Sequence, residues 1–155
     1  MGALLGRFLG GRVPTPRVDF YVSADAGEPA RLRLACRIAE KAYLAKQKVV
    51  VLCEDAEALR RFDELLWTFG DGSFVPHDTV TADAACAAPV VLTTGALPEG
   101  HTDVLVNLGN EVPASFGKFA RVAEFLDARP EVRAAGRERF RIYRGQALEP
   151  QTHNV

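Results

Sequence analysis

The hexapeptide KVVVLC at residues 48–53 decides the fold class of this chain. A continuous run of β-branched residues between polar flanks is typical of a strand that is buried on both faces, as the strands of parallel sheets are. Two more short runs of this kind occur, VVLT at 90–93 and VLVN at 104–107, and the alternating VDFYV at 18–22 predicts a first strand. The pattern therefore predicts a mostly parallel sheet.

Segments with helical periodicity lie between and after these strands. Helices are predicted at 27–46, 56–69, 115–127 and 130–144. Glu54 and Asp55 are suited to cap the second helix, residues 73–88 predict a loop, and no element is predicted from Gly145 onward. This order of elements predicts a single-domain, three-layer α/β/α fold with a mostly parallel sheet and a Rossmann-like or P-loop-like topology.

Length and composition agree with one globular domain. The chain has 155 residues, of which 48% are hydrophobic and 25% charged, and its net charge of −1 excludes non-specific nucleic-acid binding through overall charge. We expect a domain at 18–150, a disordered extension at 1–17 and a tail at 151–155. No apolar run approaches the roughly 20 residues of a membrane span, so we expect a cytoplasmic protein without a membrane partner.

The motifs of the common α/β enzymes are missing from the sequence. G-x-x-x-x-G-K-[ST], G-x-G-x-x-G and G-x-S-x-G do not occur, and SADAG at 23–27 offers one glycine and an aspartate that would repel phosphate. Two acids follow Cys53 and would raise its pKa, and the absence of C-x-x-C argues against a zinc site. We therefore expect no catalytic residue, no metal and no cofactor, and we interpret Cys36, Cys53 and Cys86 as buried free thiols.

The last predicted helix carries the clearest electrostatic signal. Between residues 131 and 144 it has five arginines and two glutamates, a local charge of +3. One face is formed by Arg133, Arg137, Phe140, Arg141 and Arg144. The opposite side, which is predicted to be buried, is formed by Val132, Ala135, Ile142 and Tyr143. Core packing does not explain like charges at this spacing, so the basic face suits an acidic peptide or a phosphate backbone; the alternative is a solvated surface.

A second feature is aromatic. Trp67 points away from the apolar side of its predicted helix, and Phe74 follows in the predicted loop. The two rings together are suited to an exposed patch that another subunit covers. The alternative is that both rings fold back onto the edge of the core.

Two segments resemble a known family. VLCEDAEALRRFDELLWTFGDGSFVPH at 51–77 and GRERFRIYR at 136–144 are similar to segments of the chi subunit of bacterial DNA polymerase III, the second to its A-R-E-R-Y-K-x-Y-R pattern. The resemblance runs from about residue 19 to 144 and is weaker between 78 and 114. It implies an α/β fold and a non-catalytic subunit of a polymerase complex that acts in DNA replication.

The resemblance also implies two partners. The psi subunit, which joins chi to the clamp loader, would contact Trp67, Phe74 and Pro76. The acidic tail of single-stranded-DNA-binding protein, which ends in phenylalanine, would contact Arg133, Arg137, Phe140, Arg141 and Arg144, so that DNA is reached only indirectly. Phe140 replaces the family's usual tyrosine, and Arg141 replaces a lysine. The alternatives are direct DNA binding by the basic helix and partnership with a repair helicase.

Overall fold

The computed structural model describes residues 15–70, 72, 74–80 and 88–155. Within these residues one parallel sheet contains β1 Arg17–Val22, β2 Val49–Leu52, β3 His77–Val80, β4 Val90–Thr93, β5 Val104–Asn107, β6 Arg121–Leu126 and β7 Gln151–Asn154. The strand order is β3-β4-β2-β5-β6-β1-β7. The four strands predicted from the sequence are confirmed, and each forms part of this sheet.

Three α-helices cover the two faces of the sheet in the described part of the chain. They are α1 Glu28–Leu44, α2 Ala56–Thr68 and α3 Pro130–Gly145. Alternate residues of β2 separate the layers, because Val49 and Val51 pack with α1 and α2 whereas Val50 packs with Tyr143 of α3. The prediction of a three-layer α/β/α fold is confirmed, and Asp55 caps α2 by accepting the Ala58 amide at 2.8 Å.

The predicted helix at 115–127 is wrong. This segment forms a single 3-10 turn, Phe116–Lys118, followed by the central strand β6. Every residue of β6 after Arg121 is buried, including Glu124, because β5 and β1 flank the strand and helices cover both faces. A short apolar run that contains one charge fits helical and extended periodicity equally well, and periodicity alone does not separate the two.

The two polar strands at the sheet edges correct the predicted loop and tail. β3 lies inside the segment predicted as a loop, and β7 lies where no element was predicted. Their sequences, HDTV and QTHN, lack an apolar pattern because an edge strand keeps one side exposed to solvent. The predicted extension lies outside the described residues up to residue 14, as do Cys86 and positions 71, 73 and 81–87.

The core contains two free thiols and one arginine of α1. Cys36 and Cys53 are buried and free, as predicted. Arg31 is only 9% exposed, and its Nε donates to the Phe125 carbonyl at 2.8 Å. None of the described helices has the length and apolar character required to cross a membrane.

Candidate functional site

Helix α3 sits close against the central strand β6. Pro130 occupies its first turn, where a missing amide donor costs nothing. Gly136 permits the close approach, because a Cβ at this position would lie 2.5 Å from Cδ2 of Leu126. The buried residues of the helix are Gly136, Arg139 and Tyr143. The side of α3 that faces the sheet is therefore partly polar.

A buried polar network holds α3 to the sheet. The carboxylate of Glu124 accepts hydrogen bonds from Arg139 Nε at 2.9 Å, from the Tyr143 hydroxyl at 2.6 Å and from Asn107 Nδ2 at 2.9 Å. Burial, followed by the nearby charge of Glu124, raises the pKa of Tyr143, so its hydroxyl remains a donor. The network connects the helix to both β5 and β6.

The prediction of the buried side of α3 includes one residue that is exposed and omits one that is buried. Ile142 was predicted to be buried and is 41% exposed, whereas Arg139 is 2% exposed and was not assigned to that side. The buried residues Gly136, Arg139 and Tyr143 are spaced i, i+3 and i+7, so they share one side of the helix. A search for apolar residues misses a stripe in which a glycine and an arginine occupy two of the three positions.

The five predicted residues of the basic face share the outer side of α3. Arg137, Arg141 and Arg144 are exposed, whereas Arg133 and Phe140 are half-buried. Arg133 is held in place, because its Nε donates to the Asp127 carbonyl at 3.0 Å and its Nη2 to the Ser23 carbonyl at 3.2 Å. Phe140 anchors the face to the core, with its ring 5.3 Å from that of Phe20.

The charges of this face are largely free to bind a partner. Arg141 contacts Glu138 at 3.0 Å, but both side chains are mostly exposed, and such a pair contributes little. Among the described residues, no carboxylate lies within ion-pair distance of Arg137 or Arg144. We define the basic face as Arg133, Arg137, Phe140, Arg141 and Arg144. Its chemistry suits carboxylates or phosphates beside an apolar group.

The predicted aromatic patch is exposed and contiguous. Trp67 is 50% exposed and Phe74 is 61% exposed, and their ring centroids are 5.6 Å apart. His77 supports the indole from below, with its ring 4.5 Å away and its Nε2 2.8 Å from Oδ1 of Asp63. We define the aromatic patch as Trp67, Phe74 and the half-buried Pro76. The interpretation that both rings fold back onto the core is wrong.

The basic face and the aromatic patch are far apart. Helix α3 packs over β6 on one face of the sheet, whereas the aromatic patch follows α2 on the other face, beside the edge strand β3. Four strand steps separate β3 from β6. At about 4.8 Å per step this is roughly 19 Å within the sheet alone. The two surfaces therefore do not overlap.

The crevice at the carboxyl ends of β2 and β5 is the position where α/β folds usually bind ligands. It has a volume of about 520 Å³, and Cys53, Glu54 and Glu111 are among the residues that line it. Burial raises the pKa of Cys53 to about 12, so the thiol remains protonated and a poor nucleophile. The described residues contain no cluster of side chains suited to hold a metal ion.

Comparison with known proteins decides the family. Residues 15–151 match the family model described as DNA polymerase III chi subunit, HolC. The chain belongs to the DNA polymerase III chi subunit family. It is 42% identical over 139 residues to DNA polymerase III subunit chi of Pseudomonas aeruginosa, which covers 90% of this chain and 96% of that protein.

Two more distant members of the chi family also match most of the chain. The subunit chi of Escherichia coli is 29% identical over 116 residues, covering 72% of this chain and 77% of that protein. The subunit chi of Haemophilus influenzae is 26% identical over 138 residues, covering 88% and 96%. The predicted family is confirmed, and with it the assignment to a non-catalytic accessory subunit in DNA replication.

Proposed function

We propose that this chi-family chain binds the acidic C-terminal tail of single-stranded-DNA-binding protein through the basic face and the psi subunit of the clamp loader through the aromatic patch. It would thus bridge the two. The observation that carries the proposal is the position of exposed arginines beside a core-anchored phenylalanine on one side of α3. Two of them, Arg137 and Arg144, have no carboxylate within ion-pair distance among the described residues. An acidic peptide that ends in phenylalanine offers the complementary charge and an apolar ring.

The energetics of the basic face are sufficient for such a peptide. A hydrogen bond to a charged group contributes roughly 1.5–3 kcal/mol. A micromolar complex requires about 8 kcal/mol in total. Three arginine contacts and one covered aromatic ring reach this range, and the restrained side chain of Arg133 loses little entropy on binding.

The tail contact is tested with a fluorescence-anisotropy titration of a labelled tail peptide. We expect saturable binding that weakens with added salt and falls at least several-fold in Arg137→Ala and in Arg141→Ala. Arg60→Ala is the matched control, because Arg60 is an exposed arginine of α2 on the other face of the sheet. Unchanged affinity in both α3 variants would refute this assignment.

Direct DNA binding by the basic face is tested in the same titration. A labelled single-stranded oligonucleotide replaces the peptide, at the same salt concentration. The net charge of −1 and the short basic face predict weak binding of the oligonucleotide. If the Kd of the oligonucleotide is equal to or lower than the Kd of the peptide, direct DNA binding is favoured instead.

The psi contact is tested on the aromatic patch. Truncation of an aromatic hot-spot residue at a protein interface costs about 2 kcal/mol or more in binding free energy. We therefore expect Trp67→Ala and Phe74→Ala to weaken psi binding about 30-fold or more. Leu44→Ala is the control, because Leu44 is 69% exposed and lies at the end of α1. The bridge predicts that saturation with the tail peptide changes the Kd for psi by less than about 2-fold.

A further inference from the structure

A second concave site lies between α1 and the inner side of α3. It is a cleft of about 150 Å³ at the carboxyl ends of the central strands. Its walls are formed by Glu28, Arg31, Glu54, Asn110, Arg129, Val132, Ala135 and Arg139. These residues do not overlap with the basic face, which occupies the outer side of α3. The cleft therefore belongs to neither of the surfaces described above.

Three guanidinium groups converge on this cleft. Arg129 is bound by both carboxylate oxygens of Asp127, and Arg139 is bound by Glu124. Arg31 differs from both, because it donates only to carbonyls, those of Phe125 at 2.8 Å and Leu108 at 3.2 Å. In the described part of the chain, no carboxylate lies within ion-pair distance of Arg31.

Arg31 is thus a buried charge without a contacting counter-ion. It is 9% exposed, and burial, followed by the nearby charge of Arg139, lowers its pKa. A buried charge without a carboxylate in contact is costly, and Glu124 and Asp127 stabilise the charge of Arg31 only from beyond ion-pair distance. Its Nη1 has no acceptor among the described residues, and Arg31 is one of the residues that line the cleft.

Two carboxylates also line the cleft, and both already have partners. Glu28 is paired with Arg61 at 3.2 Å. Glu54 accepts Nδ2 of Asn110 at 2.7 Å. An anion in the cleft would therefore meet three guanidinium groups and two carboxylates, of which Glu28 has a cationic partner and Glu54 a neutral one.

We propose that this cleft, defined by Arg31, Arg129 and Arg139, binds one phosphate group. A cavity of about 150 Å³ is large enough for a molecule the size of benzene. A phosphate ion has about as many heavy atoms as benzene and fits this volume, whereas a nucleoside is too large for it. A planar guanidinium group can donate two parallel hydrogen bonds to two oxygens of one phosphate. The site uses side chains in place of a glycine-rich loop, so the phosphate-binding motifs are not needed to form it.

The proposal is tested by thermal unfolding of the full chain in sodium phosphate and in sodium chloride at equal ionic strength. We expect a saturable rise in Tm of about 3–6 °C at ten times the Kd for phosphate. Ala135→Glu should abolish the rise, because it places a carboxylate in the wall of the cleft without removing an arginine. Ala134→Glu is the matched control and should retain the rise, because Ala134 is exposed on the same helix and does not line the cleft.

A second readout covers the case in which a cleft variant is poorly folded. Phosphorus NMR of inorganic phosphate with the wild-type chain should show line broadening that is reversed by pyrophosphate and not by acetate. No phosphate-specific rise in Tm and no broadening, or the same rise in Ala135→Glu as in wild type, would overturn the proposal.

The source of the phosphate is separated by two oligonucleotides. One carries a 5′-phosphate and its twin carries a 5′-hydroxyl. Displacement of inorganic phosphate by the first and not by the second supports a nucleic-acid end as the ligand. Equal failure of both to displace it supports free phosphate in the same cleft.

Discussion

The hydroxyl of Tyr143 offers a direct measure of the buried network. Tyr143→Phe removes one hydrogen-bond donor from Glu124 and leaves the ring in place, so no cavity forms. The hydrogen bond is 2.6 Å long, fully buried and made to a carboxylate. Bonds of this kind contribute about 1.5–3 kcal/mol, so we expect a loss of about 2 kcal/mol in the free energy of unfolding. For a domain of this size, that loss lowers Tm by roughly 4–8 °C.

Urea unfolding followed by circular dichroism measures this loss. The matched control is Tyr43→Phe, because Tyr43 is half-buried and its hydroxyl has no hydrogen-bond partner among the described residues. We expect the control to remain within about 0.5 kcal/mol of wild type. A loss below about 0.5 kcal/mol in Tyr143→Phe, at an unchanged m-value, would refute the view that this hydrogen bond holds α3 to the sheet.

Three further predictions concern the core, the thiols and pH. Phe62→Ala, at a fully buried position on the inner side of α2, should cost about 3–5 kcal/mol in urea unfolding. Burial raises the pKa values of Cys36 and Cys53 to about 12, so neither should react with a thiol reagent in the native state. The reaction is measured in a Cys86→Ser variant, in which these two are the remaining cysteines. Burial acts to raise the pKa of Asp127, but hydrogen bonds from Arg129 hold it below its ordinary value. Asp127→Asn should therefore cost about 1–3 kcal/mol at pH 7, and its difference from wild type should shrink as the pH falls below about 4 through the folded-state pKa.

The strands buried on both faces are predictable because their chemistry is uniform. In β2, β4 and β5 nearly every side chain is apolar and buried, and a continuous β-branched run has few other stable placements. The exposed aromatic residues are predictable for the opposite reason. Trp67 lies off the apolar side of α2 and is half exposed, because no other element in the described part of the chain covers it.

The central strand β6 and the inner side of α3 are not predictable in the same way. Glu124 in β6 and Arg139 in α3 look like solvent-facing residues, yet each is buried because the other neutralises it at 2.9 Å. Their partnership spans two elements, and local periodicity contains no information about it. The polar edge strands could not be predicted for a related reason. Their stability comes from pairing with β4 and β1 rather than from their own residues.

The direction of the outer side of α3 depends on the contacts of its buried side. Arg139 and Tyr143 are one turn apart and both bind Glu124, so α3 cannot rotate about its axis without breaking a buried hydrogen bond. A rotation by one residue would move Arg137 and Arg141 through about 100° relative to the sheet. The network thus fixes the direction in which the basic face points, although none of its residues belongs to that face, and a rigid element holds a binding constellation more accurately than a loop does. The buried polar residues of α3 are therefore best understood as positioning residues for the outer arginines.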